Sequence, residues 1–179
     1  MLFPIIVVVI VILISLLYKK KTQGIPDNEV TVDIERAFPI SKTSSFRIAG
    51  ISHHCDRRDI GVISGELIDD PDNSYDKDAV MIADANKNQL LGYIAKDAKE
   101  EYREIAAGKT RMPFVGFIEQ AKDDDGRAYL FGIVRTYSGD EDTVMADAQN
   151  DWDFLQKAFT VKRYDTRMNL LEQFKWEKH

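Results

Sequence analysis

Five aspartates crowd a stretch of twelve residues, DDPDNSYDKDAV from Asp69 to Val80. Asp70, Asp72, Asp76 and Asp78 fall at alternating positions, and carboxylate oxygens are what a hard cation such as calcium takes. The EF-hand pattern nevertheless fails, because Tyr75 stands where its sharp turn needs glycine and Met81 where its bidentate glutamate should be. The second chemistry open to this stretch is hydrogen bonding. Asn73 both donates and accepts, Asp76 only accepts, and Tyr75 offers a flat ring. The same residue types also build a polar turn whose Asn and Asp side chains satisfy their own backbone, with Tyr75 folded back onto the domain. His53, His54 and Cys55 are metal-ligating or nucleophilic types. On a strand, however, neighbours point to opposite faces, and no second Cys or His cluster completes a tetrahedral set. An exposed edge or a partly packed turn is the expectation there, and nothing near Cys55 points to an activated thiolate. Asp123, Asp124 and Asp125 read as a hairpin turn. No P-loop, dinucleotide fingerprint or serine elbow occurs, so no cofactor is expected and binding is expected in place of catalysis.

The order of residues from Asp69 onward, with LGYIAK from Leu91 to Lys96 behind it, resembles the HIRAN domain. This module sits at the front of certain DNA-remodelling helicases and alone in bacterial proteins. Pro71, Asn73, Tyr75, Asp76, Ala79, Val80, Gly92, Tyr93 and Lys96 occupy the places of that family's signature. FRIAGIS, Phe46 to Ser52, looks like its opening strand with Gly50, and Arg57 or Arg58 resembles the arginine that often follows. The resemblance covers residues 46–137. It implies a modified OB-like β-barrel that binds single-stranded DNA at a free 3′ end. On that reading Asp76 accepts a hydrogen bond from the terminal hydroxyl and Asn73 meets a base edge or sugar. Tyr75 and Tyr93 stack on bases, and Lys96 or Arg57 neutralises a phosphate. Ser52 and His53 stand where other members place an arginine and an aromatic, so His53 joins the implied DNA-binding set with a weaker contact.

The elements that must hold these residues are short β-branched and aromatic runs between turn signals. Strands are predicted at Phe46 to Ser52, Val62 to Ile68, Ala79 to Ala83, Leu90 to Ile94, Pro113 to Glu119 and Ala128 to Thr136. Asp84 to Gln89 and Asp123 to Gly126 read as hairpin turns. One helix interrupts them, Lys96 to Ala107, with Ala98, Tyr102, Ile105 and Ala106 on one face, Asp97 as its cap and Gly108 as its stop. Alternating strands with a helix at one end predict a mainly β fold, a small closed or nearly closed barrel. Beyond Gly139 the period changes to helical. Trp152, Leu155, Phe159, Leu170, Leu171 and Phe174 form apolar stripes in a tail, 138–179, expected to pack on the barrel.

Leu2 to Tyr18 is 17 residues without a charge, followed at once by Lys19, Lys20 and Lys21. As a helix this run reaches about 26 Å, enough to cross a bilayer. It lacks the leading basic stretch and the small-residue cleavage site of a signal peptide. The expectation is a single-span membrane anchor at 2–18, a linker at 19–45, and a barrel facing the cytoplasm by the positive-inside rule. The chain carries 24 basic and 30 acidic residues, a net charge of −6, so bulk charge does not draw it to nucleic acid. Any such site must be a local patch. The lone Cys55 excludes an intrachain disulfide. Two functions remain open: single-stranded DNA recognition, and a protein-interaction adaptor at the membrane whose partner binds the same surface or the helical tail.

Overall fold

A computed structural model describes residues 42–176. The expected anchor and most of the linker lie outside the described residues. Among those described, no helix is long and apolar enough to cross a membrane. Six antiparallel strands form a closed barrel: β1 (Lys42–Ala49), β2 (Gly61–Asp70), β3 (Ala79–Asp84), β4 (Gln89–Ile94), β5 (Arg111–Lys122) and β6 (Ala128–Ser138), in the spatial order β1-β4-β3-β2-β5-β6. Each predicted strand exists. Side chains alternate across the pleat, so Phe46, Ile48, Ile63, Leu67, Val80, Ile82, Leu91, Met112 and Phe114 meet in one interior cluster.

The first strand is displaced from its expected place. It opens at Lys42, taking Ser44 and Ser45 from the expected linker, and stops at Ala49 instead of reaching Ser52. Gly50 turns the chain with φ 74, a left-handed conformation that glycine adopts without steric cost, and Ile51–His54 is one turn of helix, α1. His53 and His54 therefore sit on a helical turn. The expected alternation of these residues along a strand does not occur. A 3₁₀ turn over Lys96–Ala98 leads into α2 (Lys99–Ala106), which inserts Tyr102 and Ala106 into the barrel core, Tyr102 edge-on to Phe46 at 6.1 Å. Asp97 caps nothing: the residue at the helix start is Ala98, and no side chain bonds there. Ile105 packs on the core only partly buried.

Strands β5 and β6 are buried on both faces. Their outer face lies under two tail helices, α3 (Glu141–Thr160), capped by Asp140 through the Thr143 N–H at 3.0 Å, and α4 (Tyr164–Trp176). Val115, Phe117, Ile133 and Tyr137 from the barrel wall and Leu155, Ala158, Leu171 and Phe174 from the helices form this second core. A polar knot crosses it. Arg135, 1% exposed, donates through Nη1 to both carboxylate oxygens of Asp151 at 2.9 and 3.1 Å, through Nη2 to the Phe174 carbonyl and through Nε to Ser45 Oγ. The Tyr137 hydroxyl donates to the same carboxylate. A buried ion pair is tolerable when its polar atoms are hydrogen-bonded, and here each guanidinium nitrogen has a partner.

Candidate functional site

The loop between β2 and β3 is built by its own side chains. Asn73 Oδ1 accepts from the Tyr75 N–H at 3.0 Å and the Asp76 N–H at 3.2 Å, while its Nδ2 makes one long contact to Asp70 Oδ2 at 3.4 Å. Asp76 Oδ1 accepts from the Asp78 N–H at 3.1 Å, and Lys77 Nζ donates to the Pro71 carbonyl at 3.2 Å. This is the self-satisfying Asx geometry that the residue types suggest. Tyr75, however, does not fold back. Its ring is 98% exposed at the tip of a loop pinned on both sides.

Lys99, from the start of α2, donates to Asp76 Oδ2. That hydrogen bond, with weaker help from the Asp78 N–H and the Lys96 charge, holds the Asp76 carboxyl below the usual carboxylate range. Its side chain stays 38% exposed. A carboxylate has about four lone-pair sites, so a further donor can still be accepted. Sequence reasoning missed Lys99, because nothing at position 99 foretells that α2 will lean over the loop. Arg103, one turn on, pairs with Asp69 near the end of β2 and neutralises a second carboxylate beside the loop. Lys96 is exposed and holds no ion pair among the described residues.

Tyr93 faces outward from β4, opposite Met81 on β3 and Ala49 on β1. Its hydroxyl donates to Asp70 Oδ2 at 3.4 Å, and the His54 ring stands edge-on to it at 6.2 Å. Burial first, and the Asp70 charge second, push the Tyr93 phenol up. Behind α1, Asp56 and Asp59 cap each other across a 3₁₀ turn, with Arg58 bonded to Asp56 and Lys87 to Asp59. Arg57 is left exposed without an ion pair among the described residues, as is His53. Tyr93, His54, Asp70, Asn73, Asp76 and Lys99 are thus linked contact by contact, with Lys96 one 3₁₀ turn away from Lys99. His53 and Arg57 border this set through the chain, with no side-chain hydrogen bond, ion pair or ring contact to it among the described residues.

Among the described residues no group of three or more His, Cys, Asp or Glu could hold a metal ion. The Cys55 thiol donates weakly to the Leu91 carbonyl at 3.6 Å, and burial, then Asp59, push it up to about 11. It is protonated at neutral pH and a poor nucleophile. No family model, no curated protein and no solved structure matches the chain.

Proposed function

We propose that this chain is a membrane-anchored binding module of the HIRAN type, whose OB-like barrel recognises single-stranded DNA at its 3′ end. The observation that carries the reading is Tyr75, a fully exposed ring on a self-braced loop, beside a carboxylate held by Lys99. A ring kept in water by a rigid loop is a stacking platform, and base stacking on aromatics is worth about 1 to 3 kcal/mol per base. Asp76 is the acceptor for a terminal hydroxyl, and Lys96 and Arg57 are the phosphate contacts. Asn73 spends its carbonyl on shaping the loop, and beside the long contact of its amide nitrogen to Asp70 it has a second amide hydrogen for a sugar or base. His53 borders the site and offers a ring nitrogen to the strand. Residues 2–18 hold the barrel at the membrane, facing the cytoplasm.

The test is a fluorescence-anisotropy titration at low salt with the full chain in a nonionic detergent. Its ligands are single strands with free 3′ ends and blunt duplexes. Preference for the single strand is expected, with Tyr75→Ala weakening it about five- to a hundred-fold. Equal binding of both forms, or none, sinks the reading. Exposed Asp72 and Asp78 flank Tyr75 and suit a basic peptide instead, so absence of DNA binding leaves the adaptor function in its place.

A further inference from the structure

Two grooves meet at Arg47. The first, about 680 Å³, is lined by Gly50, Ile51, Ser52, Cys55, Ala95 and Tyr129 among others. The second, about 250 Å³, is floored by Phe117, Phe131 and Ile133 and carries Glu172 and Lys175 from α4. Arg47 and Tyr129 line both. No carboxylate lines the first groove. The Arg47 side chain is exposed on β1 and, like that of Arg57, makes no ion pair, hydrogen bond or ring contact among the described residues, whereas Arg58, Arg103, Arg111, Arg135 and Arg167 are paired. Tyr129 is 45% exposed and leans on Phe131 at 6.5 Å.

The first groove borders the candidate site at two points. Ala49 is the register partner of Tyr93, and Ala95 precedes Lys96. Arg47 lies two residues from Ala49 on the same face of β1, about 7 Å further along the strand, which is one step of an extended nucleotide chain. From the Tyr93 and Lys96 side, a bound strand would meet a carboxylate-free groove, then an unpaired guanidinium beside an aromatic ring. Those are the two components of a non-specific single-strand track.

We infer that the strand continues from the end-binding site through this groove, with Arg47 taking a phosphate 5′ of the terminal nucleotides and Tyr129 offering its face to a base. This rests on the DNA-binding reading above and adds a site size and a direction to it. A lone Arg guanidinium suits a phosphate diester better than a buried carboxylate would, because it is reached from water and forks across two oxygens.

The experiment measures affinity of the full chain for oligothymidylates of about three, six and nine nucleotides, within the span one OB-type fold covers, all with free 3′ ends. Affinity is expected to rise from the shortest to the middle length. Arg47→Ala should remove about three- to ten-fold from the longer ligands, lower the salt slope by about one, and leave the shortest unchanged. Tyr129→Ala should follow the same length dependence. If the wild-type chain gains nothing with length, or Arg47→Ala weakens the shortest and longest ligands alike, the groove carries no strand while end binding stands. If the wild-type chain binds none of them, end binding and the track fall together.

Discussion

Tyr75 and Tyr102 are the two extremes a tyrosine can occupy, one almost wholly in water and one with no exposure at all. Tyr102 is buried without a hydrogen-bond partner for its hydroxyl. Burial, then the Asp69 charge, push its phenol up to about 12, with Arg103 opposing. The unfolded chain gives up that proton near pH 10, while the folded chain keeps it until about 12. Stability present below pH 10 is therefore lost as pH rises through this window, by about 1.4 kcal/mol for each unit of the gap. Tyr137 acts in the same direction, since burial and then Asp151 raise its phenol as well. Urea midpoints between pH 7 and pH 11 should show the decline, and Tyr102→Phe should soften it while costing nothing at pH 7, because the lost hydroxyl had no partner. A variant clearly weaker at pH 7 would reveal a bond to that hydroxyl. At the site, Asp76 and Tyr75 stand out in the sequence by type and order, but Lys99 does not. Its role depends on the angle at which α2 meets the loop, which no local pattern encodes.

The strands were largely legible because five of them alternate or run apolar between Asp/Gly turns. β1 departs from its expected place for two physical reasons. Its first half is Thr and Ser, which carry no apolar period yet pair fully with β6, Thr43 with Tyr137 and Ser45 with Arg135. At its far end Gly50 closes the strand with a left-handed turn, although the apolar run continues to Ile51. Closure of the barrel depends on a short seam, Ile48 with Ile94 and Ala49 with Tyr93. Gly92 lies under it with φ 147, and a Cβ there would stand 2.4 Å from the Ala49 carbonyl oxygen. Gly92→Ala should therefore cost about 2 kcal/mol or more, through strain and overpacking together. Because Tyr93 is the next residue, the same variant should weaken DNA binding even where it remains folded. An unfolding midpoint indistinguishable from wild type would show that the seam can part without cost.

Across the whole molecule, the tail belongs to the barrel's architecture. Its apolar stripes were legible as helix, and the structure spends Leu155, Leu171 and Phe174 on the outer wall of β5 and β6. The Arg135 and Asp151 pair was not legible, because charged residues in a strand and a helix usually signal solvent. Asp151→Ala strands a buried guanidinium and should cost about 3 to 5 kcal/mol, with Arg135→Met restoring part of the loss in that background. A loss too small to resolve by urea unfolding would mean that water reaches Arg135. A chain stopped after Ser138 should aggregate, since Val115, Phe117, Ile133 and Tyr137 would face water. Whether Asp76 receives a free DNA end is decided most directly by the ratio of affinities, at low salt, for one single strand bearing a 3′-hydroxyl and the same strand bearing a 3′-phosphate. At least about ten-fold preference for the hydroxyl is expected in the wild-type chain, since a carboxylate at that place would accept from a hydroxyl and repel a phosphate, and a ratio near one in Asp76→Ala. A wild-type ratio near one, or a preference that survives Asp76→Ala unchanged, would contradict that role.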